Sequence, residues 1–352
     1  MPRNMCSSPP HNKIDICHIT ADPAIKSQGS VISDHGSIIP YLWVRTFRVV
    51  NAMFEKILFP TDFSEYAKRT LDCIAGLPGI GEIHLLHVIE GTTKIARGDW
   101  VLDDVREEAE RQINEEKMSL QHPRARIISR IEAITSGSIA EAILRIAREE
   151  QISTIVMGAR GKGLIKGIFL GSVSSKVIKH AQTHVLIMRY KVIEELTGTK
   201  FEKFCPRILS KVLCPTDFSV HSDNALRVLL RAGPDHIILL HAVSSAETEN
   251  ELAFAVNNAR VMLEKKCAAL KDRGFSVHSI VSEGNPAAVI NDTAEAEDVS
   301  LICMSSYGKG WVGEHVLGTT SFEVARTTKR PVIILRTTGN IPVPDESPDK
   351  IS

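Results

Sequence analysis

The chain contains the same passage twice. KILFPTDFS at residues 56–64 returns as KVLCPTDFS at 211–219, an offset of 155. IHLLHV at 83–88 returns as IILLHAV at 237–243, and STIVMGARGKG at 153–163 returns as SLICMSSYGKG at 300–310. FLGSVSSKVIKHAQTHVLIMR at 169–189 returns as VLGTTSFEVARTTKRPVIILR at 316–336, where the offset has shrunk to 147. Segments that recur in the same order over so long a period mark one folded unit present in two copies. With 352 residues to place, two units of ordinary domain size fit better than a single core. The expected organisation is an unfolded N-terminal extension over 1–53, a first domain over 54–190, a linker over 191–206, a second domain over 207–337 and a disordered tail over 338–352. Met53, just ahead of the first copy, is the expected natural start.

Within each copy, short β-branched runs alternate with amphipathic stretches, the pattern of a parallel sheet with crossover helices. In the first copy the spacing predicts strands near 56–60, 82–88, 126–133, 153–157 and 184–189. Ala67, Leu71, Ile74 and Ala75 mark the apolar face of one helix, with Ser64 as its N-cap. Ile139, Ile143, Ile146 and Ala147 mark another, after Ser138 and Glu141 in capping-box spacing. In the second copy Asn285 and Pro286 are the expected N-cap and first helical residue. The charged run from Asp103 to Arg111 is expected to be a solvated helix face.

Composition narrows the function classes. Lys plus Arg is 42 and Asp plus Glu is 42, so no overall field draws the chain to nucleic acid or to an anionic membrane, and any anion site must be local. No apolar run is long enough to span a bilayer, and no basic-then-apolar leader opens the chain. The 7 Cys lack paired spacings, which suits a reducing cytoplasm. Cys6, His11, Cys17 and His18 match no zinc pattern.

One constellation points to chemistry. Gly158, Gly161 and Gly171 stand in G-x2-G-x9-G spacing between an apolar strand and an amphipathic helix, followed by Ser172, Val173 and Ser174. Glycines let backbone N–H groups approach an anion, and the helix start adds free donors at the positive end of its dipole. The intervening loop carries Arg160, Lys162 and Lys166 and no acid, a local charge of +3. In an open sheet of flavodoxin-like order this loop would meet Pro60, Thr61 and Asp62, which follow the first strand, at the switch point where ligands sit. Asp62 is suited to sugar hydroxyls, or to capping the next helix, and the backbone of Val88 to a base edge. His87 and His241 end apolar strands and read as structural.

The repeat order, the PTDFS passage and the glycine loop resemble the ATP-binding branch of the universal stress protein family in tandem form. The resemblance implies two Rossmann-like, flavodoxin-like α/β domains, each a five-stranded parallel sheet of order 3-2-1-4-5. It also implies ATP or AMP, with or without Mg, held by Asp62, Val88, Met157, Gly158, Gly161, Gly171, Ser172 and Ser174, and pairing of the copies through their last strands. A further homodimer and a protein partner are compatible with it, and the sequence identifies neither.

The second copy departs from the pattern. Gly308, Gly318 and Thr319 are kept and Asp217 matches Asp62, but Ser305 replaces Gly158, Tyr307 replaces Arg160 and Ala242 replaces Val88. Its loop, with Lys309 and Glu314, is neutral. If the Ser305 position needs positive φ, the substitution costs about 1 to 2 kcal/mol. The expectation is nucleotide binding mainly in the first copy. No P-loop, nucleophile elbow or HExxH motif is present, so regulation by occupancy is favoured over two alternatives. These are a slow ATPase or phosphotransferase using Asp62 and a metal ion, and a nucleotide-free dimerising scaffold.

Overall fold

A computed structural model describes residues 53–90, 100–120, 122, 124–159, 170–195, 198–202, 207–244, 248–308 and 317–336. The extension, the tail and both glycine-loop tips, at 160–169 and 309–316, lie outside the described residues. The first copy runs β1 (Lys56–Pro60), α1 (Glu65–Ile74), β2 (Glu82–Glu90), α2 (Trp100–Ser119), β3 (Arg126–Ile134), α3 (Ile139–Glu149), β4 (Thr154–Gly158), α4 (Ser172–His180) and β5 (His184–Met188). After β6 (Lys191–Glu195) and β7 (Gly198–Glu202), the second copy runs β8 (Val212–Pro215), α5 (Val220–Arg231), β9 (Ile237–Val243), α6 (Glu249–Asp272), β10 (Val277–Glu283), α7 (Pro286–Ala296), β11 (Leu301–Ser305), α8 (Thr319–Thr327) and β12 (Val332–Leu335).

Ten strands make one sheet, ordered β10-β9-β8-β11-β12-β5-β4-β1-β2-β3. Each half is parallel and has the order 3-2-1-4-5. The halves join where β12 pairs β5 antiparallel, with Val332 opposite Ile187 and Ile334 opposite Val185. Val185, Leu186 and Ile187 are fully buried, as is every residue of β12, the signature of strands covered on both faces. Unpaired, they would be apolar sheet edges open to aggregation. Pairing also continues the core. Residues of α3, α4, α7 and α8 share one apolar cluster and residues of α1, α2, α5 and α6 share the other, each crossing the junction. The tie is reciprocal at its ends, where Arg189 donates to Ala325 O at 2.6 Å and Arg336 donates to Ile178 O at 2.7 Å. Each cation thereby meets the negative end of a helix from the other domain.

Ser64, Ser138 and Asn285 cap α1, α3 and α7 through their side chains, and Pro286 opens α7. One local expectation needs correction, and one segment gains detail. Ala75 is the exposed C-cap of α1, and the buried fourth residue of that face is Thr70, whose hydroxyl donates to Tyr66 O at 2.9 Å. The segment read as a linker contains the β6–β7 antiparallel hairpin, a sheet separate from the main one.

Candidate functional site

The loop after β1 is a rigid turn built by its own side chains. Thr61 Oγ1 accepts from Phe63 N at 3.0 Å and Asp62 Oδ1 accepts from Ser64 N at 3.0 Å. Phe63 sits at φ 60° and stacks on His87 with ring centroids 4.3 Å apart. His87 Nδ1 donates in turn to Thr61 O at 2.8 Å, so this histidine holds the loop. The second copy repeats every part. Thr216 Oγ1 accepts from Phe218 N at 3.1 Å, Asp217 Oδ1 from Ser219 N at 3.0 Å, and His241 Nδ1 donates to Thr216 O at 2.7 Å. Asp62 and Asp217 thus hold the entries to α1 and α5 while standing beside the crevice.

Across the switch point, Gly158 ends β4 and Gly171 is the N-cap of α4. Gly171 N donates to Ala159 O at 2.8 Å and Ser174 Oγ donates to Gly158 O at 3.0 Å. The second copy closes the same turn through Gly318 N to Ser306 O at 2.8 Å and Ser321 Oγ to Ser305 O at 2.8 Å. Gly158 is extended strand and not among the positive-φ residues, so Ser305 incurs no left-handed strain, and its hydroxyl donates to Tyr307 O at 2.6 Å.

The helix starts at this crevice differ from the others. Five helices, α1, α3, α5, α6 and α7, have a Ser, Thr or Asn N-cap whose side chain accepts a backbone N–H. At α4 and α8 the N-cap is glycine, which has no side chain to take those donors. Such bare helix starts, with Ser172 or Thr319 exposed beside them, are suited to an anion.

The remaining residues fall as follows. Pro60 ends β1. Met157 and Val88 are buried, and Val173 is half-buried on α4. Strand β2 continues two residues past Val88 to Glu90. In a parallel ladder alternate residues face the same neighbour, and Leu86 O accepts from Thr61 N at 2.8 Å. Val88 therefore turns its backbone groups to the same side, beyond the end of β1. Arg160 and Gly161 lie outside the described residues. In the second copy Asp217, Ala242, Gly308, Gly318 and Thr319 line one cavity of about 340 Å³. A Cβ on Gly308 would stand 2.6 Å from Asp217 Oδ2, so glycine permits this close approach. Among the described residues no three His, Cys, Asp or Glu side chains are placed to hold a metal ion.

Sequence reasoning missed Glu116. It lies under the Thr61 loop, 4% exposed, and its Oε1 accepts from Thr61 Oγ1 at 2.9 Å. Burial, opposed by the Thr61 hydrogen bond and the nearby Lys68 charge, pushes its carboxyl up to about 7. The available signal was its position three residues after Ile113 and four before Leu120, on the apolar face of α2.

Comparison with known proteins agrees with this architecture. The family model described as Universal stress protein family matches residues 53–189 and 209–336. A universal stress protein of Methanocaldococcus jannaschii is 30% identical over 163 residues, 40% of this chain and 99% of that protein. One from Mycobacterium bovis is 27% identical over 222 residues, 60% of this chain and 67% of its own length. The crystal structure of a universal stress protein from Archaeoglobus fulgidus covers 81% of this chain and 98% of its own, with a TM-score of 0.58 and 26% identity. With the family's model matched on both copies, the chain belongs to the universal stress protein family and carries two of its domains in tandem.

Proposed function

We propose that the chain binds ATP or AMP, mainly in the first domain, and that occupancy regulates rather than transforms. The observation that carries this reading is the pair of helix starts with glycine N-caps at the switch point, beside the Asp62 and Asp217 loops, while five other helices have Ser, Thr or Asn side-chain caps. Phosphates would take the N–H groups of the Gly171–Ser172 start, Asp62 would accept from the ribose, and the Val88 backbone would meet the base. The first domain is favoured because Arg160, Lys162 and Lys166 give its loop three cations where the second has a neutral one. A magnesium ion would come with the ATP phosphates and find Asp62 as its nearby carboxylate. Asp62 already holds the turn through Ser64 N, which suits orienting a sugar better than activating water. No helix among the described residues is long and apolar enough to cross a membrane, and we assign the function to the cytoplasm.

The test is mass spectrometry of the purified full chain for co-purifying adenine nucleotide, followed by calorimetric titration of nucleotide-free protein with ATP and AMP. One strong site per chain is expected. Two sites of equal affinity would refute the asymmetry, and no binding would leave the scaffold reading. Turnover abolished by D62A would favour the ATPase.

A further inference from the structure

Under the Thr61 loop, between α1 and α2, lies a cleft of about 440 Å³ whose lining includes Phe63, Leu71, Lys68 and Glu116. The other charged side chains around it are all engaged in ion pairs, two cations shared among a larger number of acids. Arg69 lies 3.0 Å from Glu65 and 3.8 Å from Asp72, and Arg111 lies 2.8 Å from Glu115. Two groups of opposite sign are left over. Glu116 Oε2 is buried without a hydrogen-bond partner, since Thr61 serves only Oε1. Lys68, exposed at the rim, closes no ion pair among the described residues.

The second domain holds the same two positions with the signs exchanged. Ala109 and Ile113 on α2 and Leu120 just after its end match Ala259, Leu263 and Leu270 on α6, all buried, which sets Lys266 where Glu116 stands. The PTDFS offset sets Asp223 where Lys68 stands. There the two groups meet, Lys266 Nζ lying 2.5 Å from Asp223 Oδ1. In the first domain they do not meet, and the cleft lies against both.

We propose that this cleft is a second ligand site, separate from the nucleotide crevice, for a small zwitterion of the α-amino-acid class with an apolar side chain. Its ammonium group donates to Glu116 Oε2, its carboxylate faces Lys68, and its side chain rests on Phe63 and Leu71. A buried carboxylate oxygen lacking a donor is costly, and a compact ammonium brings three donors. A simple anion would leave Glu116 unpaired, and a simple cation would face Lys68 with like charge. A molecule carrying both signs satisfies both groups at once, and the volume is that of a small-molecule site.

The test is calorimetric titration of the full chain with L-leucine and with two analogues, 4-methylpentanoate without the ammonium and 3-methylbutylamine without the carboxylate. One leucine site per chain is expected, with each analogue at least about tenfold weaker. Glu116→Gln and Lys68→Ala should each weaken leucine by about tenfold or more. Lys68 is exposed, so its variant carries the test even if the Glu116 variant folds poorly. No saturable leucine binding at millimolar concentration, equal binding of the three compounds, or leucine affinity unchanged in Lys68→Ala would each overturn the proposal.

Discussion

In the first domain Thr61, Asp62 and His87 hold the turn after β1, and in the second Thr216, Asp217 and His241 hold it, with the three hydrogen bonds agreeing to within 0.1 Å. The side chains around that shared frame differ. The first crevice has a loop of charge +3 and a buried carboxyl beneath it, and the second has a neutral loop and a closed Lys266–Asp223 pair. The PTDFS passage therefore reports how the turn is made and does not by itself say whether a ligand binds there. In the sequence the two copies differ here in charge, while the described turns that hold Asp62 and Asp217 share one backbone geometry.

The most damaging way to probe that difference is to remove the charge. Replacing Arg160, Lys162 and Lys166 together by alanine should lower ATP affinity by about a hundredfold to a thousandfold, since charge-assisted contacts contribute roughly 1.5 to 3 kcal/mol each and partly back one another up. Calorimetry checks it. In the second domain Lys309→Ala should change total binding little, and equal effects in the two loops would break the comparison.

The buried carboxyl makes the next test. Glu116 is shifted from the usual 4.5 to about 7, so between those values the folded chain binds a proton that the unfolded chain does not. Stability present below the lower value is therefore lost as pH rises through the upper one, by up to about 3 kcal/mol. Urea titrations in steps from about pH 4.5 to about pH 7.5 should show the decline, and Glu116→Gln should flatten it. Amide exchange should place it in the first domain, because Lys266 offers no such group to the second. A decline of equal size in both domains would assign it elsewhere.

Asp62→Ala should weaken nucleotide by about tenfold to thirtyfold, the loss of one or two hydrogen bonds to a charged acceptor. Asp217→Ala should leave the strong site untouched in the same titration. If the two substitutions act alike, both crevices bind and the charge argument fails.

How far the sequence revealed these differences depended on how local their causes are. Strands β1, β4 and β5 and the caps Ser64, Ser138 and Asn285 were legible, because alternation and capping act within a few residues. The β5–β12 pairing was legible because two apolar last strands need partners. Glu116 was not, since a carboxyl among charged neighbours on α2 becomes buried only when α2 meets the Thr61 loop, 55 residues away in the chain. Thr70 was passed over for Ala75 because its hydroxyl can turn back onto Tyr66 O, which lets a polar residue join the buried face. The β6–β7 hairpin has no counterpart in the repeat, so the strongest signal in the chain was silent there.

The smallest expected effect tests the glycine argument itself. If the second crevice were weak because Ser305 stands in place of Gly158, Ser305→Gly would restore a nucleotide site. The backbone argues otherwise. Gly158 ends a strand without positive φ, so glycine is not needed at this position for a left-handed backbone. The substitution also removes the hydroxyl that donates to Tyr307 O at 2.6 Å, and glycine within a strand loses roughly 0.5 to 1 kcal/mol through added freedom in the unfolded chain. The expected result is an unchanged nucleotide titration and a second domain less stable by about 1 kcal/mol in urea. A second binding step appearing in Ser305→Gly would mean that the two domains differ in backbone reach after all, and that charge is the lesser part of the difference.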